Sequence, residues 1–219
     1  PPMEQILKQS PRRTVLLVDY GPEDNPRPRI VKRFHSPGIF AGLMDPLRAL
    51  REYRALARLR ALGVRAPEPQ RVLRTKGVWE LTMEKIPGAI NLESFFAGWA
   101  CGETHGLIPG RISPVSLANA VAELLALILF KGIQHPDLHP GNVVLDDQGQ
   151  LWLVDPIRLR TTSPFRDEAS RALLTHLCQS CRETTSPRWR ALVMARLRRL
   201  SQSELPEGLF NDLDQIETA

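Results

Sequence analysis

Cysteine is scarce in this chain: three among 219 residues, an odd and small number that excludes the paired disulfide framework of small secreted domains and points to reduced thiols. Aromatic residues are also few, at 6%, and no recognised nucleic-acid-binding motif accompanies them, so nucleic acid is not an expected partner. No long apolar run is present. The longest, Val121 to Phe130, is about half of the roughly 20 residues a membrane span needs and carries Glu123, so it reads as a buried helix. Neither a charged segment followed by an apolar one at the start nor an internal repeat or low-complexity tract is visible. The expected location is cytoplasmic.

What is there is ordinary globular composition, 42% apolar and 24% charged, in a length that suits one large domain or two small lobes. The formal charge of +5 comes mainly from arginine. Such a surface suits an anionic partner, whether a phosphorylated substrate, a membrane surface or nucleic acid, and charge alone does not choose among them.

The texture changes near Pro87-Gly88, which divides the chain into a strand-rich part, 1–86, and a mostly helical part, 87–219. Thr14 to Tyr20 and Arg29 to Phe34 are β-rich runs joined by a Gly/Pro/Asn/Asp-rich loop, a hairpin signal. Asp45-Pro46 supplies an N-cap and a first-turn proline for a helix that ends at Gly63. Gln70 to Arg74 and Val78 to Ile86 are two more strands around Thr75-Lys76-Gly77. In the second part, Ser113-Pro114 or Ser116 opens a helix to about Lys131, with Gly132 as its stop. A short hairpin from Val143 to Asp155 follows, and Ser-Pro starts at Ser163 and Ser186 announce two further helices.

Between the Lys131 helix and the hairpin lies the polar run His135-Pro136-Asp137-Leu138-His139-Pro140-Gly141-Asn142. Because hairpin strands are antiparallel, Asn142 entering and Asp155 leaving belong to the same open end. An amide oxygen and a carboxylate brought together there suit Mg²⁺, a hard cation that takes a few protein oxygens alongside phosphate and water. Asp137, on the preceding loop, is placed to accept a proton from an attacking hydroxyl. Taken singly, each of these residues is an ordinary turn former, and it is the joint spacing that speaks for chemistry.

That spacing resembles the protein-kinase catalytic loop H-R-D-L-x-x-x-N, with Asp155 where the D-F-G aspartate stands. The resemblance implies a bilobal α+β fold binding ATP and Mg²⁺ between its lobes. In it Asp137 is the catalytic base, Asn142 and Asp155 are metal ligands, and His135 anchors the loop. It also implies a strand lysine for the α- and β-phosphates held by a helix glutamate. Lys32 fits the first. Glu52 fits the second, being the one acidic residue between Pro46 and Pro67 in a stretch rich in arginine. Met83 and Glu84 fall where the adenine-binding hinge is expected. The arginine-rich helix, the run Leu62 to Pro69 and the DLHPGN wording look most like the bacterial lipopolysaccharide core kinases, which phosphorylate heptose or Kdo sugars. An anionic sugar or glycolipid acceptor follows from that likeness, with peripheral contact at the inner membrane's cytoplasmic face.

The sequence departs from the kinase pattern in several places. Gln9 to Arg13, where a glycine-rich loop belongs, contains no glycine, and Asp155-Pro156-Ile157 lacks the phenylalanine and glycine of D-F-G. His139 replaces the lysine usual two residues after the catalytic aspartate, and remains able to touch phosphate or substrate. About seven residues separate Asp155 from Ser163-Pro164 and no A-P-E follows, so a peptide acceptor is disfavoured against a small hydroxyl compound. Rival readings are a pseudokinase or nucleotide-binding scaffold, and an atypical protein kinase. Cys101, His105, Cys178 and Cys181 form a zinc-like ligand set on paper, against ordinary burial of thiols in a core. The arginines Arg188, Arg190, Arg196, Arg198 and Arg199 are either a phosphate-binding patch or a solvated helix face.

Overall fold

The computed structural model describes residues 4–20, 27–35, 41–100, 112–156, 159–162 and 185–201. Contacts divide the chain into two units, Pro1–Ile86 with Asp155–Ile157, and Pro87–Val154 with Arg158–Ala219.

The first unit is a five-stranded antiparallel sheet and one helix. Its strands are β1 (Glu4–Ser10), β2 (Arg13–Asp19), β3 (Pro28–Phe34), β4 (Pro69–Thr75) and β5 (Val78–Glu84), in spatial order β1-β2-β3-β5-β4. β2 alternates strictly between buried and part-exposed positions, the signature of a strand with one face on a core. Leu16 and Val18 from that strand pack with Val31 of β3. Helix α1 (Ala41–Ala61) lies on β3, β4 and β5. It buries Ala49, Leu56 and Leu59 there, each leucine contributing about 2 kcal/mol of hydrophobic stabilisation. The helix ends in a left-handed cap: Gly63 has φ 85°, its N–H donates to Arg60 O, and the Val64 N–H reaches back to Leu59 O.

One sequence expectation is corrected in this unit, and one strand is added to it. The helix does not begin at Asp45-Pro46 but four residues earlier, so Asp45 is a buried residue inside α1 and not its cap. Proline already has a helical φ, but inside α1 it forfeits the N–H bond to residue 42 and its ring crowds that carbonyl, so the turn ahead of Pro46 forms at a local cost. The added strand is β1, whose seven residues are all exposed and show no buried alternation that sequence could reveal. It is a strand because β2 offers a free edge, with Glu4 opposite Val18 and Ser10 opposite Arg13.

The second unit begins with β6 (Ile90–Asn91), α2 (Leu92–Ala100) and α3 (Pro114–Phe130). The Ser113 side chain caps α3 by accepting from the Ser116 N–H at 3.0 Å, and Pro114 takes the first helical position, which needs no donor. After β7 (Ile133–Gln134) and a 3-10 turn at Pro140–Asn142 come β8 (Val143–Leu145), β9 (Leu151–Leu153), β10 (Arg160–Thr161) and α4 (Pro187–Leu200). β6, β8 and β9 form one small sheet, and β7 pairs with β10. α4, capped by Ser186, packs on α3, and Trp189 ties α4 to both earlier helices, stacking edge-on with Phe96 of α2 at 5.0 Å and donating to Pro114 O at the start of α3. The helix expected from Ser163 lies outside the described residues. Among the described residues, no helix is long and apolar enough to cross a membrane.

Candidate active site

Strand register sets the first group of candidate residues, which lies within the first unit. Val15 of β2 stands opposite Lys32 of β3, which stands opposite Leu81 of β5, so Lys32 occupies the centre of the sheet. Its ammonium is buried and forms ion pairs with Glu52 of α1 and with Asp155. Glu52 is completely buried, and its second oxygen, Oε2, has no hydrogen-bond partner among the described residues. Asp155 receives a second cation on its other oxygen: Arg13 Nη2 donates to Oδ2 at 2.9 Å. The carboxylate thus faces a cationic side chain on each of its oxygens. It does so in a strained backbone, with φ 56° at a residue followed by proline, which ordinarily favours an extended conformation before it.

The electrostatics follow from burial and proximity. Burial opposes ionisation of Asp155, but Lys32 and Arg13 outweigh it and hold the carboxyl well below the usual carboxylate range. Burial likewise works against the Lys32 ammonium, and the Asp155 and Glu52 carboxylates more than offset it, so its pKa lies above the ordinary lysine value. For Glu52 burial dominates over Lys32 and pushes the carboxyl up.

A depressed carboxyl stabilises the fold at pH above its unfolded value and loses that contribution as pH falls toward the folded value. Urea midpoints should therefore drop as pH is lowered below about 4, the unfolded aspartate range. The Asp155→Asn protein should show a shallower acid slope, and equal slopes would refute the assignment. Glu52 does not imitate this behaviour, because a raised carboxyl has the opposite sign.

A second group of candidate residues, within the second unit, is carried by the loop ahead of β8. Leu138 is buried and its N–H donates to His135 O, while His135 is itself buried, so the loop is pinned from inside. Asn142 donates from Nδ2 to the main-chain oxygen of Asp137 at 2.8 Å, with a longer approach of 3.4 Å to its carboxylate. His139 caps the 3-10 turn, its Nδ1 accepting from the Gly141 N–H at 3.1 Å. A Cβ at Gly141 would lie 2.7 Å from Glu93 Oε2 and 2.8 Å from His139 Cε1, so those side chains would have to shift to admit one. The β8–β9 pairing continues through Asn142, whose carbonyl accepts from the Val154 N–H at 2.9 Å, one residue before Asp155 in the chain. The far end of that hairpin is fixed by buried Asp146, which accepts from Gln148 and Gln150 N–H and from Trp152 Nε1.

Of the remaining residues singled out by sequence, Met83 is buried in β5 opposite Ile30. Glu84 gives its N–H to Glu68 O, and its Oε2 accepts from the Glu68 N–H. Cys101, His105, Cys178 and Cys181 lie outside the described residues, and among the described residues no cluster could hold a metal through three acidic, His or Cys side chains. The α4 arginines do not share one face. Arg190 is buried and donates to Thr185 O, Arg196 approaches Glu123 at 3.8 Å, and Arg188 and Arg199 are exposed. Sequence reasoning passed over Arg13 as a site residue. The signal that could have found it is the period of two: Arg13 precedes Val15 by two and shares its face.

A protein-family model described as lipopolysaccharide kinase (Kdo/WaaP) family matches residues 29–202. Among solved structures, the chain is similar to "WaaP in complex with acyl carrier protein", with a TM-score of 0.62 and 17% identity over 99% of this chain and 88% of that one. No curated protein sequence matches. The structural likeness and the sheet, helix and hairpin described above define an α+β protein of the protein-kinase-like fold, and the protein is a kinase. With well over half of its length matched, the chain belongs to the lipopolysaccharide kinase (Kdo/WaaP) family, the group that the DLHPGN run resembles.

Proposed function

We propose that this kinase is an ATP-dependent phosphotransferase that moves the γ-phosphoryl group to a hydroxyl of a lipopolysaccharide core sugar, heptose or Kdo. The observation that carries the reading is the buried Lys32 ammonium, paired at once with Glu52 and with Asp155. A strand lysine so held keeps one geometry, as a group serving the α- and β-phosphates must. The donor chemistry also fits a divalent cation: Asp155 already accommodates cationic groups on both oxygens, and Asn142, with Nδ2 committed to the Asp137 carbonyl, has Oδ1 left as a hard ligand.

In this reading Asp155 and Asn142 hold Mg²⁺, which supplies charge neutralisation on the phosphates when bound. Asp137 orients the acceptor hydroxyl and takes its proton. His139, using Nδ1 as a cap, keeps Nε2 for a phosphate or substrate oxygen. Met83 and Glu84 border the adenine; since the Glu84 N–H is given to Glu68, carbonyls and the residues that follow supply the purine contacts. An acceptor in lipopolysaccharide is anionic and membrane-anchored, which agrees with the net charge of +5 and with peripheral action at the cytoplasmic membrane face.

The test is calorimetric binding of ATP with and without Mg²⁺, followed by transfer of labelled phosphate to lipopolysaccharide core oligosaccharide. The Asp155→Ala protein should bind Mg·ATP about tenfold or more weakly. Well-folded wild-type protein that binds no ATP would leave a pseudokinase scaffold as the better account, and label on a polypeptide instead of a sugar would make it a protein kinase.

A further inference from the structure

Protein kinases cover the nucleotide phosphates with backbone N–H groups of a glycine-rich loop between their first two strands. In this chain that connection is the two-residue turn Pro11-Arg12, closed by Ser10, whose Oγ accepts from the Arg13 N–H at 3.1 Å and donates to Arg13 O at 3.0 Å. A turn so short, with a proline that has no N–H and no glycine to allow close approach, has little backbone to lay over a phosphate. Charge is what the turn delivers instead. Arg13 opens β2 two residues before Val15, and Val15 stands directly opposite Lys32, so the two cations project from the same face of the sheet.

They meet on one carboxylate, Lys32 on Oδ1 and Arg13 on Oδ2 of Asp155. The two cations differ in setting. The Lys32 side chain is 7% exposed and keeps Glu52 as a second partner, whereas Arg13 is 20% exposed and, among the described residues, pairs with the one carboxylate of Asp155. A divalent cation drawn to Asp155 competes with both, and the guanidinium then needs another anion. The fork geometry of arginine matches phosphate oxygens better than any other side chain does.

We propose that Arg13 is a phosphate-binding residue that takes the place of the glycine-rich loop, its guanidinium exchanging the Asp155 carboxylate for the β- and γ-phosphate oxygens of a nucleoside triphosphate. This rests on the phosphotransferase reading given above. It makes the turn Ser10–Arg13 an electrostatic clamp in place of a backbone cradle, with specificity for charge on the ligand.

Calorimetric titration of the full chain with Mg·ATP and with adenosine separates the possibilities, because adenosine lacks phosphates but shares the base and ribose. Arg13→Ala should raise the dissociation constant for Mg·ATP about 10- to 100-fold, as loss of one charge-assisted contact does, and leave that for adenosine unchanged. Arg13→Lys should fall between, keeping the charge and losing the fork; it reads the same contrast if the alanine protein folds poorly. If Arg13 only props Asp155, the alanine protein will bind Mg·ATP as well as wild type or better, with the carboxylate freed, or will lose ATP and adenosine alike. Any of these results overturns the inference while the phosphotransferase reading stands. Wild-type protein that binds no ATP overturns both.

Discussion

Asp137→Ala is expected to lower phosphate transfer by about 10²- to 10⁴-fold, the range for loss of a general base, while ATP affinity stays as in wild type. The structure makes this substitution unusually clean. The loop bond that fixes Asn142 goes to the main-chain oxygen of residue 137, at 2.8 Å, and survives removal of the side chain. The contact with the carboxylate itself is long, 3.4 Å, and contributes little to holding the loop. Leu138 and His135 remain buried beneath it, so the loop retains its internal anchors. A fall in kcat without a change in nucleotide affinity then reports a group acting on the acceptor hydroxyl in the transition state. Transfer at the wild-type rate would sink the assignment of Asp137, and a matching loss of ATP binding would mean that the residue serves the nucleotide and not the acceptor.

The parts of this site that were legible in the sequence are those whose partners lie close along the chain or are singled out by chemistry. The run from His135 to Asn142 and the hairpin that follows occupy one short stretch, and turn formers, a buried leucine and antiparallel pairing determine their arrangement locally. Lys32 and Glu52 are farther apart, but past Pro46 the arginine-rich stretch of α1 holds one carboxylate, Glu52, and the lysine pairs with it. Arg13 was not legible because its partner lies 142 positions away. Several arginines near the chain's beginning are equivalent by composition, and only the pairing of Val15 with Lys32 distinguishes the one that shares the lysine's face. β1 was missed for a related reason. Ile6 and Leu7 are adjacent, exposed and unalternated, and it is the neighbouring strand's hydrogen-bonding edge, not a buried face, that makes the segment extended. The early start of α1 likewise depends on tertiary packing overriding the local signal of Asp45-Pro46.

The Lys32 and Glu52 pair permits stability and function to be separated, because a buried ion pair contributes little net stability even when either partner alone is indispensable. Lys32→Met should destabilise the protein by about 3–5 kcal/mol, since Glu52 would be left fully buried with neither oxygen paired. Arg13 still faces Asp155 in that variant, so the loss is concentrated at Glu52. Adding Glu52→Leu removes the stranded carboxylate and replaces it with an apolar side chain beside the α1 core residues Leu56 and Leu59. The double variant should therefore recover most of the urea midpoint, because removing both charges avoids the desolvation cost that removing one exposes. Phosphate transfer should not recover with it: no ammonium remains for the α- and β-phosphates, and the rate should stay at the level of Lys32→Met. A double variant as unstable as the single would show that the pair is a net stabilising element of the sheet. One that regained both stability and transfer would show that Lys32 serves the fold and not the nucleotide.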